Sequence, residues 1–154
     1  MSHGPWPVSW RVFVATQRDA PEPAAVRTMG ASLFGVSVER TSASVDGAFV
    51  VTVLEGEALT VVRGLSVAKE HAADDWALAE RAVTAMGGAG MDVLVARASR
   101  VWRLSVERDD RPARRAVAIV AGVLAQSELG PALLPDGTKL VGIRGVRQWI
   151  DLIA

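Results

Sequence analysis

A chain of 154 residues, half of them hydrophobic and 22% charged, has the length and apolar content for one compact domain. Disordered, collagenous and coiled-coil classes are excluded on composition. Its 17 basic and 17 acidic side chains cancel, so the diffuse positive field used by most nucleic-acid and anionic-membrane binders is missing. The absence of cysteine removes disulfides, thiolate metal ligands and a thiol nucleophile.

The first residues, 1–8, read as an extended arm, because Pro5 and Pro7 bias Gly4 and Trp6 away from helix. Nothing in Met1 to Ser9 resembles a basic start followed by an apolar run. The longest apolar stretch, Ala116 to Ala125, is about half of a bilayer span. A soluble, cytoplasmic protein is therefore expected, with residues 9–154 as a single domain.

Trp10 to Thr16 alternates as a strand, with Trp10, Val12 and Val14 on one face and Arg11, Phe13 and Ala15 on the other. Gln17 to Pro23 turns the chain, and a helix that starts at Asp19 or a residue or two later has Val26, Met29 and Leu33 as its buried stripe and Gly35 as its stop. Val36 to Ser44 and Ala48 to Leu54 flank Asp46-Gly47, a strong hairpin signal, and Ala58 to Val62 predicts a further strand. From about Ser66 to Met86 the spacing of Ala72, Trp76, Ala79, Val83 and Met86 predicts a helix, closed by Gly87-Gly88-Ala89-Gly90. Met91 to Glu107 reads as one or two strands broken near Ala98-Ser99. A second strong helix is expected from Asp110 to about Glu128, with Ala113, Ala116, Val117, Val120 and Leu124 inward. A hairpin at Asp136-Gly137 and a closing helix, Val146 to Ile153, finish the chain.

The order Trp10-Arg11, Pro21, helix, Asp46-Gly47, Arg63-Gly64, helix is echoed by Trp102-Arg103, Pro112, helix, Asp136-Gly137, Arg144-Gly145, helix. A duplicated β-α-β-β-α unit, residues 9–90 and 91–154, would account for the echo. The expected fold is an α+β two-layer sandwich of ferredoxin-like type, an antiparallel sheet with both long helices on one face.

Chemistry is thinly supplied. Two histidines and no tyrosine leave few acid–base groups, and no Gly-x-Ser-x-Gly elbow is present. His71 lies four residues before Asp75, a spacing that could hold a metal, but that turn is expected to be solvated. The Gly87 to Gly90 run follows a helix instead of preceding one, so it reads as a cap and not as a phosphate loop. Arg108, Arg111, Arg114 and Arg115 crowd a helix N-terminus, where positive charge is disfavoured. A small anion bound there would resolve the conflict, and so would pairing with Asp109 and Asp110.

Trp6 and Trp149 lack an evident core position, and the closing helix carries Val146, Trp149, Ile150, Leu152 and Ile153 around more than one face. Trp6, Trp149 and Leu152 are accordingly candidates for contact with another chain, self or other. The expectation is a non-catalytic interaction protein, a homo-oligomer or an accessory subunit of a larger assembly, without cofactor or metal. The alternative is a protein that binds a small anionic ligand, or an enzyme, using the Arg108 to Arg115 cluster.

Overall fold

The computed structural model describes residues 6–153, and the side chains of residues 42–45 and 153 are outside what it describes. The chain forms β1 (Val8–Val14), α1 (Pro23–Phe34), β2 (Ser37–Val45), β3 (Ala48–Glu55) and β4 (Ala58–Ala68). A 3-10 turn, Lys69–His71, leads to α2 (Ala73–Ala85), α3 (Met91–Arg97), β5 (Arg100–Val106) and α4 (Arg111–Glu128). It ends with β6 (Ala132–Leu133), β7 (Leu140–Val141) and α5 (Ile143–Ile153). The fold is α+β: all seven strands join one sheet in the order β2-β3-β4-β5-β1-β6-β7, and every neighbouring pair is antiparallel.

Both Asp-Gly pairs turn hairpins. Asp46 and Gly47 each take positive φ (52° and 80°), the pairing that lets a two-residue turn follow the twist of its strands. At the second, the Asp136 carboxylate accepts from the Thr138 amide and hydroxyl, which holds its carboxyl below the usual carboxylate range. α4 starts as its sequence dictates, with Asp110 as N-cap accepting from the Ala113 amide at 2.9 Å.

Period-two alternation divides the sheet into two faces. Trp10, Val12 and Val14 of β1, Phe49, Val51 and Val53 of β3, Val62 of β4 and Trp102 and Leu104 of β5 form the larger core with α1, α4 and α5. α4 is central in this layer, and Ala116 through Ala125 are buried all around because α1 and α5 flank it above the sheet. The Trp10 and Trp102 indole nitrogens lie in this core without an acceptor.

The opposite face is covered differently from expectation. Phe13, Val101, Leu133 and Leu140 meet Ala72, Trp76, Ala79, Ala82 and Val95, so α2 and α3 pack over β5, β1, β6 and β7 on the face away from α4. The two long helices do not share a face. The cause lies in β1: Phe13 alternates away from Trp10 and needs its own apolar cover, which Trp76 gives by edge-on stacking at 5.0 Å.

Further boundaries differ: α1 begins at Pro23 and not near Asp19, and α5 begins at Ile143 and not at Val146. Ser66, Val67 and Ala68 remain in β4, paired with Trp102, Val101 and Arg100, so the helix expected from Ser66 begins at Ala73. Met91 to Arg97 is helical, with Val95 packed inward and Gly90 (φ 83°) as its N-cap, so the strand expected at Met91 starts only at Arg100. β1 begins at Val8, two residues before the expected strand.

The ferredoxin-like duplication is not confirmed. Three long strands follow α1 but only two two-residue strands follow α4, and the closing helices α2 and α5 lie on opposite faces. The echo has a local consequence nonetheless: β1 and β5 pair with Arg11 directly opposite Arg103.

Candidate functional site

At the centre of the α2-covered face lies a polar cluster. Cross-strand neighbours Arg11 and Arg103 project toward the first turn of α2, where Asp75 is 2% exposed. Arg11 Nε donates to Asp75 Oδ1 at 2.6 Å, and Arg103 Nη2 donates to Oδ2 at 2.6 Å, with Arg103 Nε adding a bond to each oxygen. Burial pushes the Asp75 carboxyl up, but the hydrogen bonds from Arg103 and Arg11 outweigh it and hold the group below its ordinary range. Among the described charged residues Asp75 is the one buried as a whole residue. The sequence reading placed this turn in solvent; Asp75 instead joins α2 to the sheet. His71 is exposed and makes no pair with it.

The four arginines of the α4 end do not meet as a group, although Arg111 and Arg115 line one pocket beside Glu55. Arg108 pairs with Asp110 at 2.8 Å and Arg114 with Asp109. Arg115 grips Glu55 of β3 with Nε and Nη2 at 2.9 and 2.7 Å, and these bonds hold the Glu55 carboxyl low. Arg111 is exposed beside the Glu55–Arg115 pair. Each local acid thus offsets a guanidinium that the helix dipole disfavours. Phosphate or sulfate should leave the melting temperature unchanged beyond its general salting effect, as a thermal shift series against chloride at equal ionic strength will check.

Trp149 packs edge-on against Trp10, with centroids 5.2 Å apart, while Val146 and Ile150 enter the core. α5 therefore closes its own domain, and Leu152, 86% exposed, stands apart from that contact. The Ile153 side chain is outside the described residues. Trp149→Ala should cost about 2 kcal/mol, less than a fully buried tryptophan. Urea unfolding will read it.

An exposed apolar surface lies elsewhere. α2 and α3 end their cover at β5, and beyond it the second face of β3 and β4 is open. Leu54 and Leu59 are opposite each other there, as are Ala48 and Leu65, and Val50 and Arg63. Val8, Leu54, Leu59, Val61 and Leu65 are 38–59% exposed. A groove of about 490 Å³ runs along this floor between Val8, Val50, Leu65, Arg63, Arg103 and Trp6. The Arg63 guanidinium lies 3.7 Å from the centroid of the Trp6 ring.

Trp6, singled out in the sequence, thus borders the open face, whereas Leu59, Val61, Leu65 and Arg63 were missed as surface residues. Their signal was available: β3 and β4 are apolar on both alternating faces, and one face of a small antiparallel sheet usually meets solvent. The fold and this surface define a small α+β protein with one sheet face buried and the other half covered. Compared with models of protein families, with curated proteins and with solved structures, the chain finds no match. Among the described residues no helix is long and apolar enough to cross a membrane, and no three His, Asp or Glu cluster as metal ligands.

Proposed function

We propose that this is a non-catalytic protein-interaction module, an accessory subunit that docks a partner chain on the open half of its sheet. The observation that supports it is the set of exposed apolar side chains Leu54 of β3, Leu59, Val61 and Leu65 of β4 and, across β5, Val8 of β1, on one face of the sheet. Scattered exposed leucines need no explanation, but a cross-strand set on the neighbouring strands β3 and β4 suits a contact surface. The polar side chains of the groove are two guanidiniums, Arg63 and Arg103, and the Ser105 hydroxyl, and the buried carboxylate beside it already accepts several hydrogen bonds, which suits contact better than acid–base work. A cytoplasmic setting belongs to this proposal, since the chain uses no cysteine.

The test is photocrosslinking in the cells that make the protein, with a photoreactive residue at Leu65 and, as control, at Val93, which is exposed on α3. An adduct of discrete mass from position 65 and none from 93 is expected. Adducts from neither position, or equally from both, would overturn the docking surface.

A further inference from the structure

We propose that residues 69–99, which carry α2 and α3, are a hinged cover that lifts from the sheet as one unit, held shut by Asp75, while the sheet and the α4 layer stay folded. The proposal stands apart from the docking surface above.

Topology carries it. β4 and β5 are adjacent antiparallel strands whose ladder ends at the Ala68–Arg100 pair, so the whole segment leaves and re-enters the sheet at one place. The Lys69 amide donates to the Ser99 carbonyl and the Ser99 amide to the Val14 carbonyl, both at 2.9 Å, which fixes the two ends of the hinge. Among the described residues, none between 70 and 98 shares a backbone–backbone hydrogen bond with the chain outside the segment. Opening the cover therefore breaks no strand pairing.

The two helices are tied to each other. Trp76 Nε1 donates to the Val95 carbonyl at 3.3 Å, and the turn between them is closed by bonds from the Gly88 amide to Val83 and from the Met91 amide to Gly88. A contiguous helix pair bound in this way opens cooperatively.

Its hold on the sheet is narrow. Of the buried apolar residues that the segment presents, Ala72, Ala79, Ala82 and Ala98 bring one methyl each, and only Trp76 and Val95 are larger. Leu78, Val83, Met86 and Met91 pack at the border partly buried, and Met86 Sδ accepts from the Leu140 amide at 3.3 Å. The α4 layer, by contrast, rests on Trp10, Phe49, Trp102 and Leu104.

The strongest tie is the Asp75 carboxylate between Arg11 and Arg103. Burying such ions has a desolvation cost, and on lifting all three recover water, so the latch fixes the closed position without the penalty of opening a packed apolar core. Both guanidiniums keep contact with solvent even when the cover is shut. Lifting it would bare Phe13 and Val101 with both arginines, and join that floor to the open half of the same face.

The chain has no native cysteine, so single cysteines in the full chain report opening by thiol labelling in native buffer. Val101 on β5 and Val12 on β1 are both fully buried, the first under the cover and the second under the α4 layer. Val101→Cys should be labelled at least about a hundredfold faster than Val12→Cys, with a shallower dependence on urea because less surface is exposed. Trp149→Ala on α5 should speed labelling at Val12→Cys by about thirtyfold and leave Val101→Cys unchanged. Asp75→Asn should speed labelling at Val101→Cys by about a hundredfold or more, since the latch is lost. Amide hydrogen exchange of the wild type is a check free of the cysteine substitutions: α2 amides should share the faster opening and α4 amides the slower one.

Equal labelling at both positions, a rise at Val101→Cys caused by Trp149→Ala, a rate there indifferent to Asp75→Asn, or one common opening of the α2 and α4 amides would each overturn the cover.

Discussion

Asp75→Ala should lower stability at neutral pH by about 3–5 kcal/mol, because it leaves two guanidiniums facing each other under α2 with their shared carboxylate gone. In a domain of this size that is a fall in melting temperature of roughly 10 °C. Asp75→Asn keeps the volume and removes the charge, so a comparable loss from it would assign the effect to ion pairing and not to packing. The pH dependence has a fixed sign. The folded carboxyl is held below its ordinary value, so its contribution is fully present above the unfolded value of about 4 and is lost as pH falls through the lower, folded one. The gap between wild type and Asp75→Asn in urea should therefore narrow from pH 7 toward pH 3. A constant gap would mean that the pair contributes through shape alone.

The second large effect is expected at Gly64. Its missing side chain leaves the space that the Phe49 ring occupies, and that ring is itself set edge-on against Trp102 with centroids 5.8 Å apart. A Cβ at position 64 would overlap the ring, and the displaced ring would press on a fully buried tryptophan. Gly64→Val should cost about 3 kcal/mol by overpacking, while Phe49→Leu in the same chain should recover part of the loss by vacating the ring position. Strand propensity alone predicts the opposite sign, since valine is the better strand former. Chemical denaturation of the single and double variants separates the two accounts.

Much of the fold was legible because the information was local. Asp46-Gly47 and Asp136-Gly137 turn where their chemistry says, Asp110 caps α4, and Gly35 ends α1 with positive φ. What was not legible depends on partners distant in sequence. Ser66 to Ala68 stay extended only because β5 lies alongside, and no local pattern reports a strand 34 residues away. The helical register of Met91 and Val95 competes with β-branched composition in a seven-residue segment too short for periodicity to decide.

The site was legible in fragments. The alternation of β1 separated Arg11 and Phe13 from Trp10, and the Trp-Arg echo marked the two arginines that meet at Asp75. The acid that joins them reads as solvated in the sequence because its turn lies away from the apolar stripe that carries Trp76. The arginines of the α4 end carried the strongest linear signal for an anion, yet Arg115 is paired with Glu55, 60 residues away. Linear clustering says little about convergence when acids from other strands are within reach.

The central claim, that the open half of the second face is covered by another chain, is tested most directly by solvent access in the cell. The absence of native cysteine makes single-cysteine footprinting clean. Leu65→Cys and Val61→Cys should be alkylated readily in the purified protein, since both positions are exposed, and at least about tenfold more slowly inside cells that make it, if a partner buries them. Val93→Cys on α3 should react at the same rate in both settings. Equal rates for positions 61, 65 and 93 inside the cell and in isolation would contradict a docking surface.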